Sequence, residues 1–373
     1  MRIGINGRFY GAPVTGVQRF AREVTAGIAA QAEIVMLLPR DVPASALTLS
    51  RAVPVWRGRL RGHAWEQIEL PDTARRAQCD VVLHLSGTLP ARGGPHVAVL
   101  HDVLPLTHPH LFGRRFAAWY GLLLRRAAPA AAAVITVSEE SRAAIEELLR
   151  PGRVEVVPQG LAPFDRPATA AHVDRVRAAL GLPPAFLLAV GPGDRRKNLA
   201  FLPAVLDAFR ARHGPPPPVV VAGLPMPRVH GRVPVLSHPG IRLAGRVTDD
   251  ELHALYSGAR ALLFPSVAEG FGRPPLEAAA CGTPSILAEG AALPERVRGT
   301  GLSVPLQPEA WADALQRLLS DEDERTRLAI GGRVACAGLH WDEAAARVLS
   351  VCREVRRRPL AVMRPDSRPS SAA

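Results

Sequence analysis

The sequence is almost without lysine: Lys197 is the single lysine in a chain of 373 residues that carries 46 lysines and arginines in all. Asparagine is nearly as scarce, and both copies, Asn6 and Asn198, fall in glycine-containing turns. Arginine can replace lysine at solvated positions, but its planar guanidinium fits poorly where a compact ammonium must donate in three directions. One lysine could have escaped the arginine bias by chance. The alternative, which the neighbouring Asn198 favours, is that residues 191–200, GPGDRRKNLA, form part of a site.

Cysteines and long apolar runs are also few. The four cysteines lack the paired spacing of a metal site, which predicts free thiols in a reducing compartment. Neither an apolar signal core nor a run of about 18 apolar residues is found, so we expect a cytoplasmic protein, or one attached peripherally to the cytosolic face of the inner membrane. The formal charge of +12 suits anionic partners such as nucleotide or lipid phosphates. Because the arginines accompany no aromatic stacking module, we expect no nucleic-acid partner.

Short apolar runs alternate with helical patterns along the chain, and such runs predict buried parallel strands. They lie at 1–5, 33–38, 80–85, 96–102, 132–138 and 154–160, and again at 185–191, 218–225, 241–245, 261–266 and 283–289. Each half therefore predicts an α/β fold with a doubly wound parallel sheet, and ligands then lie at the carboxyl ends of the strands. We expect domains at 1–165 and 185–350, a linker at 166–184, and a basic, disordered tail at 351–373.

A glycine-rich loop, AEGFGR, follows the apolar run at 261–266 and precedes a helix that opens with two prolines. Gly270 and Gly272 allow the backbone to approach a ligand closely, and the amides at the helix start favour a phosphate. Glu269 lies in the loop and Glu277 in the early turns of the helix, where carboxylates can accept hydrogen bonds from sugar hydroxyls. Phosphate on amides and hydroxyls on carboxylates together predict a nucleotide sugar. The alternative for Glu277 is a solvated helix glutamate.

The segment EGFGRPPLE resembles the E-x7-E motif of retaining GT-B-fold glycosyltransferases of the large bacterial group 1 (family 4) type. Other segments resemble the same family in its order along the chain: INGRF, TGVQR, LHD, TVSEESR, VVPQG, GPGDRRKN, AGRVTDDELHALYSGARALLFPS, CGTPSI and ALPE. The INGRF…TGVQRFAREV opening and LHDVLPLTHP are most similar to polysaccharide and O-antigen mannosyltransferases and to rhamnosyltransferases. The resemblance implies two Rossmann-like domains facing across a cleft, with the acceptor on the first and the nucleotide sugar on the second.

The resemblance also implies roles for individual residues. Lys197 would hold the donor diphosphate, Glu269 the hydroxyls of the transferred sugar and Glu277 those of the ribose. His101 would contact the donor sugar near its anomeric centre, although a satisfied core histidine is the alternative. The implied catalytic residues are thus His101, Lys197 and Glu269. The implied donor-binding residues are Gly16, Arg196, Lys197, Glu269, Gly270, Phe271, Gly272 and Glu277, and no metal ligand is implied.

Two positions depart from the family's pattern. Pro192 stands where many members have an arginine, which leaves open whether Arg196 takes over that role. Gln159 stands where the family's PNG-V-D motif has asparagine, and Ala162 where it has aspartate; we expect a changed hinge contact rather than lost activity.

Residues 112–126, FGRRFAAWYGLLLRR, predict an amphipathic helix. At 100° per residue the aromatic side chains fall on one face, and we expect Arg114, Arg115, Arg125 and Arg126 on the other. Such a helix can lie on an anionic membrane, or its apolar face can be domain core. A lipid-diphosphate acceptor would explain both the basic charge and the apolar surface.

Together these features predict a retaining hexosyltransferase of surface polysaccharide biosynthesis that needs no cofactor and no metal. GDP-mannose is the expected donor, and a polyprenyl-diphosphate-linked or other saccharide is the expected acceptor. Asp249–Asp250 starts a helix and is interpreted as its cap rather than as a DxD metal motif. The alternatives are a UDP- or dTDP-sugar donor with the same fold and, from another class, a nucleotide-sugar epimerase.

Overall fold

The computed structural model describes residues 1–191, 193–223 and 236–357, and Pro192 and the segment 358–373 lie outside the described residues. The first half forms a seven-stranded parallel sheet in the order β3-β2-β1-β4-β5-β6-β7. Its strands are β1 (Arg2–Asn6), β2 (Glu33–Leu38), β3 (Val55–Arg57), β4 (Val81–His84), β5 (His96–Val99), β6 (Ala133–Thr136) and β7 (Val154–Val156). The strand order reverses between β1 and β4, as in a doubly wound sheet.

The second half forms a six-stranded parallel sheet in the order β10-β9-β8-β11-β12-β13. Its strands are β8 (Leu187–Val190), β9 (Val219–Ala222), β10 (Ile241–Gly245), β11 (Leu262–Phe264), β12 (Ser285–Ala288) and β13 (Gly301–Val304). All eleven strands expected from the apolar runs are present. The two that were missed, β3 and β13, lie at sheet edges, where exposed or half-exposed residues do not produce a continuous apolar run.

Helices cover both faces of each sheet and bury their apolar sides against the strands. They are α1 (Gly16–Ala29), α2 (Gly62–Ala64), α3 (Leu70–Arg76), α4 (Leu104–Thr107), α5 (Arg114–Ala127), α6 (Glu139–Leu149), α7 (Ala170–Ala179), α8 (Leu202–His213), α9 (Asp249–Gly258), α10 (Arg273–Ala280), α11 (Glu295–Arg298), α12 (Pro308–Ser320), α13 (Glu322–Ala335) and α14 (Trp341–Arg357). The chain thus has two Rossmann-like α/β domains. Asp249 and Asp250 lie in the first turn of α9 as its first residues, but the cap itself is Thr248, which forms a reciprocal bond with Glu251.

The end of the described chain differs from the expected domain boundary. Helix α14 runs without interruption to Arg357 and packs against α1 and strands β4–β6 of the first domain. Val351, Cys352 and Val355 are buried there. Residues 351–357 are therefore part of the fold and not of a disordered tail, because the apolar side chains on this part of α14 pack in the core of the first domain.

The chain crosses between the domains twice, and the two crossings lie side by side. The amide of Leu161 donates to the carbonyl of Leu339 at 3.1 Å, which joins the segment after β7 to the segment before α14. The indole Nε1 of Trp341 donates to the carbonyl of Ala162 at 3.1 Å. Gly160 packs so closely on Trp341 that a Cβ at position 160 would lie 2.5 Å from the Trp341 amide nitrogen. The linker does contain the expected helix, α7, which packs on α9.

Helix α5 packs on the core of the first domain along one side and is exposed along the other. Leu124 is buried and Tyr120 partly buried in the first domain, which supports the core alternative for that side. Trp119 and Leu122 are exposed, at 39% and 62%. The expected separation of arginines from aromatics is therefore wrong in part: exposed Arg115 lies one helical turn from Trp119 and shares its side of the helix. No helix in the described ranges is both long and apolar enough to cross a membrane.

Candidate active site

The carboxyl ends of the two sheets face each other, and the glycine-rich loop of the second domain reaches the first domain. A Cβ at Gly270 would lie 2.8 Å from the Cβ of Asp102 and 3.0 Å from the carbonyl oxygen of His101. The hydroxyl of Ser138 donates to the Gly270 carbonyl at 2.8 Å. Glycine is therefore required at position 270 by this close approach, and the LHD and TVSEESR motifs both meet the EGFG loop.

Lys197 and Arg196 both bind the same carboxylate. The ammonium nitrogen of Lys197 lies 2.7 Å from Oε1 of Glu269, and Nη1 of Arg196 contacts Oε2. Lys197 and Glu269 are 5% and 8% exposed, so the pair is buried. The ammonium also lies 4.7 Å from the ring centroid of Phe264, in cation–π range. The structure thus brings residues 196, 197 and 269, which the resemblance assigns to the donor, into direct contact.

Burial and charge act in opposite directions on this cluster. Burial would raise the pKa of Glu269, but the charges of Arg196 and Lys197 outweigh it and lower that pKa. Burial also lowers the pKa of Lys197, against the opposing charge of Glu269. For Arg196, burial is outweighed by the carboxylates of Glu269, Asp194 and Asp102, which raise its pKa. The cluster therefore holds two cations, Arg196 and Lys197, against the carboxylates of Glu269 and of buried Asp194, whose Oδ2 lies 3.6 Å from Nη2 of Arg196. Its capacity for an anionic ligand lies in the N–H donors of the two cations rather than in an excess of positive charge.

The turn that presents Lys197 is fixed by its own backbone. The amide of Lys197 donates to Oδ1 of Asp194 at 2.8 Å, and the amide of Val267 donates to the carbonyl of Arg196 at 3.0 Å. Asn198 takes a left-handed conformation with φ of 50°, which asparagine adopts more readily than most residues. This explains why an asparagine follows the lysine, and it supports the site interpretation of GPGDRRKN.

Glu277 is buried and fully engaged by protein groups. The hydroxyl of Tyr256 donates to its Oε2 at 2.7 Å, and Nη2 of Arg273 donates to its Oε1 at 2.6 Å. At 5% exposure it is not the solvated helix glutamate of the alternative interpretation. Arg273 also packs against the start of α1, because a Cβ at Gly16 would lie 3.0 Å from its Cδ. The structure therefore brings Gly16 and Glu277 into one neighbourhood through Arg273.

His101 is buried with one nitrogen bonded and one without a protein partner. Its Nε2 donates to the carbonyl of Leu85 at 3.1 Å, which leaves Nδ1 as the unprotonated nitrogen. No hydrogen-bond partner of Nδ1 is found in the described part of the chain. Burial lowers the pKa of His101 to about 4, against the effect of the Leu85 carbonyl, so the ring is neutral at neutral pH. A neutral ring with a free Nδ1 can accept a hydrogen bond from a ligand hydroxyl.

The two remaining loop residues have different functions. Phe271 is buried in the main apolar core, so its side chain is core and only its backbone is available to a ligand. Gly272 caps α10 in the left-handed region with φ of 74°, and a Cβ there would lie 2.6 Å from Val297. Glycine is therefore required at 272 by its conformation as well as by space.

Sequence reasoning missed several residues of the site. Tyr256 and Arg273 both donate to Glu277. Asp194 accepts from the amide of Lys197 and fixes the turn that carries it. Asp102 lies against Gly270 and accepts from the amide of Leu104 at 3.1 Å, and burial raises its pKa in spite of the charge of Arg196. Only Arg273 carried a readable signal, since its spacing of four residues from Glu277 on a helix predicts an ion pair.

A second polar cluster lies at the carboxyl ends of β1 and β4, on the edge that also carries His101. Glu66 is fully buried and accepts from Asn6 Nδ2 at 2.7 Å, Thr88 Oγ1 at 3.0 Å and His63 Nδ1 at 3.2 Å. Arg8 lies 3.4 Å away and also donates to Thr88. Burial would raise the pKa of Glu66, but the His63 bond and the Arg8 charge lower it to about 2. The described residues contain no group of three or more His, Cys, Asp or Glu side chains placed to hold a metal ion.

Two family models match the chain, one in each half. Residues 14–163 match Glycosyltransferase Family 4, and residues 184–321 match Glycosyl transferases group 1. The boundary between the two matches coincides with the linker and α7. Both matches together support a glycosyltransferase of the group 1, family 4 type.

Curated relatives match over a shorter region. A segment of 129 residues is 40% identical to D-inositol 3-phosphate glycosyltransferase from Xylanimonas cellulosilytica, covering 34% of this chain and 30% of that protein. A segment of 111 residues is 32% identical to O-antigen chain mannosyltransferase B from Escherichia coli, covering 30% of this chain and 29% of that protein. The alignment thus spans about a third or less of these relatives.

Solved structures match over nearly the whole chain. Sucrose-phosphate synthase from Thermosynechococcus elongatus aligns with a TM-score of 0.70 at 19% identity, covering 95% of this chain and 98% of that one. WaaG, a glycosyltransferase involved in lipopolysaccharide biosynthesis, aligns with a TM-score of 0.68 at 17% identity, covering 94% and 100%. Anabaena Alr3699/HepE in complex with UDP and glucose aligns with a TM-score of 0.68 at 16% identity, covering 94% and 98%. These likenesses establish the two-domain GT-B fold.

Proposed function

We propose that this protein, whose two halves are both of the group 1, family 4 glycosyltransferase type, is a retaining enzyme. It would transfer a hexose from a nucleotide sugar to a saccharide acceptor. The observation that carries this proposal is the buried Lys197–Glu269 pair, 2.7 Å apart, at the carboxyl ends of the second sheet and opposite His101. A cation for phosphate, a carboxylate for hydroxyls and a neutral imidazole then meet at one point of the cleft.

The proposed mechanism uses the charges of this cluster on the leaving group. Lys197 and Arg196 stabilise the negative charge that grows on the departing diphosphate. Glu269 is bound by both cations, so it orients the transferred sugar rather than attacking it. His101 accepts a hydrogen bond at Nδ1 from a hydroxyl of that sugar. The bond between the anomeric carbon and the phosphate oxygen breaks, the acceptor oxygen bonds to that carbon on the same face, and the departing phosphate takes the proton of the acceptor hydroxyl. Attack on the face from which the phosphate leaves retains the anomeric configuration, and no metal ion is needed.

GDP-mannose remains the first donor to test, and a UDP-hexose is the second. The likeness of one segment to an O-antigen chain mannosyltransferase supports mannose. UDP is favoured by the fold's likeness to HepE, whose structure holds UDP and glucose. A dTDP-sugar is the third candidate. An epimerase is disfavoured because both halves of the chain match glycosyltransferase family models.

For the acceptor we propose the edge of the first domain formed by the Glu66 cluster and α5. The ring of Trp119 is 39% exposed and lies 4.4 Å from the ring of His63, which offers an aromatic surface for a sugar beside polar donors. Exposed Leu122 and the arginines of α5 continue this surface away from the cleft. This arrangement suits a polyprenyl-diphosphate-linked saccharide, with the enzyme bound peripherally to an anionic membrane on its cytosolic side.

Calorimetric titration of the purified protein with GDP-mannose, GDP, UDP-glucose and UDP tests the donor. Binding of one nucleotide family that is lost in Lys197→Ala supports the proposal, and Arg212→Ala, which removes a surface ion pair with Asp313, is the control. Turnover should persist in EDTA. Release of free epimerised nucleotide sugar without acceptor would identify an epimerase instead.

A further inference from the structure

Arg273 is an arginine buried among charged and polar groups of both domains. Its side chain is 9% exposed, and its guanidinium makes contacts at both ends. Nη2 donates to Oε1 of Glu277 at 2.6 Å, within the second domain. Nη1 donates to Oε1 of Gln159 at 3.1 Å and to the carbonyl of Gly160 at 3.0 Å, in the first chain crossing. One rigid group therefore joins the donor-side carboxylate to the segment between the domains.

The second chain crossing contacts the same guanidinium. The Cζ atom of Arg273 lies 5.3 Å from the ring centroid of Trp341, with the guanidinium over the ring. Trp341 in turn packs directly on Gly160 and bonds to Ala162. Arg273 thus contacts both segments where the chain passes between the domains. A change in the interdomain angle would therefore move Gln159 and Gly160, which bind its Nη1, and Trp341, which lies under its guanidinium.

We propose that Arg273 is a positioning residue that ties the orientation of Glu277 to the interdomain angle, so that nucleotide binding and domain arrangement depend on each other. This inference rests on the proposed function, in which Glu277 accepts from the ribose. The guanidinium is planar and cannot bend, so displacement of Gln159 and Gly160 at one end turns the end that holds Glu277. Coupling between two sites is reciprocal, so donor binding at Glu277 favours one interdomain angle.

The test is a double-mutant cycle on two residues that both bind Arg273. Gln159→Ala removes the hinge acceptor, and Glu277→Gln removes the charge that Arg273 holds. We expect Gln159→Ala alone to weaken nucleoside diphosphate binding by about fivefold or more. Gln159 lies in the segment between the domains and binds Arg273, so this effect would reach the nucleotide through Arg273. In the Glu277→Gln background, the same Gln159→Ala change should have no measurable effect on the dissociation constant.

Arg273→Lys completes the experiment. A lysine keeps the positive charge near buried Glu277 but cannot reach both ends, so the variant should fold and should abolish the effect of Gln159→Ala. Arg212→Lys, on the surface ion pair with Asp313, is the matched control and should leave the effect intact. Melting curves exclude loss of fold as the cause, and scattering measurements with and without nucleotide report the interdomain change, which Arg273→Lys should remove.

The outcomes separate this inference from the proposed function. If Lys197→Ala and Glu277→Gln leave nucleotide binding unchanged, the proposed function is wrong and this inference falls with it. If those variants weaken binding to a still measurable level but Gln159→Ala acts equally in the presence and absence of Arg273, or has no effect at all, only the positioning function of Arg273 is overturned.

Discussion

The ammonium of Lys197 lies 2.7 Å from Oε1 of Glu269, and both groups are buried at the carboxyl ends of the second sheet. The single lysine of the sequence therefore binds the first glutamate of the E-x7-E segment, 72 residues further along the chain. Arg196 binds the other oxygen of that carboxylate. A compact ammonium on a flexible stem can share this carboxylate with the planar guanidinium of Arg196, which is consistent with a lysine at this position.

Replacing Lys197 should remove nucleotide binding without unfolding the protein. In Lys197→Met the partner Glu269 keeps Arg196, so the carboxylate stays paired and stability changes little. Affinity for a nucleoside diphosphate should fall by about 100-fold, because a charge-assisted contact to phosphate is lost. Lys197→Arg should not restore it. Calorimetry measures the affinity, and unchanged binding in Lys197→Met would remove this residue from the donor site.

Replacing Gly270 by alanine should block the contact between the domains. The new Cβ would lie 2.8 Å from the Cβ of Asp102 and 3.0 Å from the His101 carbonyl, so the loop must move away. Turnover should fall by about 100-fold, as expected when reacting groups are displaced by about 1 Å. Gly331→Ala is the control, because nothing lies within 4 Å of a Cβ at that position. Equal activity in the two variants would mean that catalysis does not need this contact.

Stability should fall as the pH drops from about 6.5 towards 4. The pKa of His101 is lowered by burial to about 4 from an ordinary value of 6.5, so the unfolded chain binds more protons between these values. Stability therefore rises with pH across that window. His101 accounts for up to about 3 kcal/mol of this change. Denaturant unfolding from pH 4 to 7 should show a smaller loss in His101→Gln than in the wild type or in exposed His110→Gln.

Membrane attachment should depend on Leu122 but not on a matched residue of the other domain. Leu122 on α5 and Ile330 on α13 are similarly exposed, at 62% and 59%, and both are large aliphatic side chains. Leu122→Ala should weaken binding to phosphatidylglycerol vesicles by about tenfold, since apolar carbons leave the interface. Ile330→Ala should not. Sedimentation with vesicles measures both, and equal effects would place no membrane surface on α5.

The apolar runs predicted the fold well because parallel strands buried on both faces leave a clear signal in one sequence. β3 and β13 were missed since edge strands are exposed and need no such run. The predicted end of the second domain was also wrong, because α14 packs on the first domain. An amphipathic pattern predicts a helix with one buried side but does not identify the sheet on which that side packs. Residues 351–357 were predicted to belong to the tail because the arginines at 353, 356 and 357 give the segment a basic composition. Val351, Cys352 and Val355 are nevertheless buried.

The sequence by itself determined which residues are rare and where glycines and carboxylates recur, and its resemblance to a glycosyltransferase family assigned Lys197, Arg196 and Glu269 to one site. Apart from Arg273, which lies four residues before it on the same helix, the groups around Glu277 were decided only by the tertiary structure. Tyr256 lies 21 residues from Glu277, which it binds, and Gln159 lies 114 residues from Arg273, which it binds, so both contacts depend on how α9, α10 and the chain crossings pack. Local patterns are set by the neighbours of each residue in sequence, whereas a buried carboxylate takes whichever donors the packing of distant segments brings within hydrogen-bond distance.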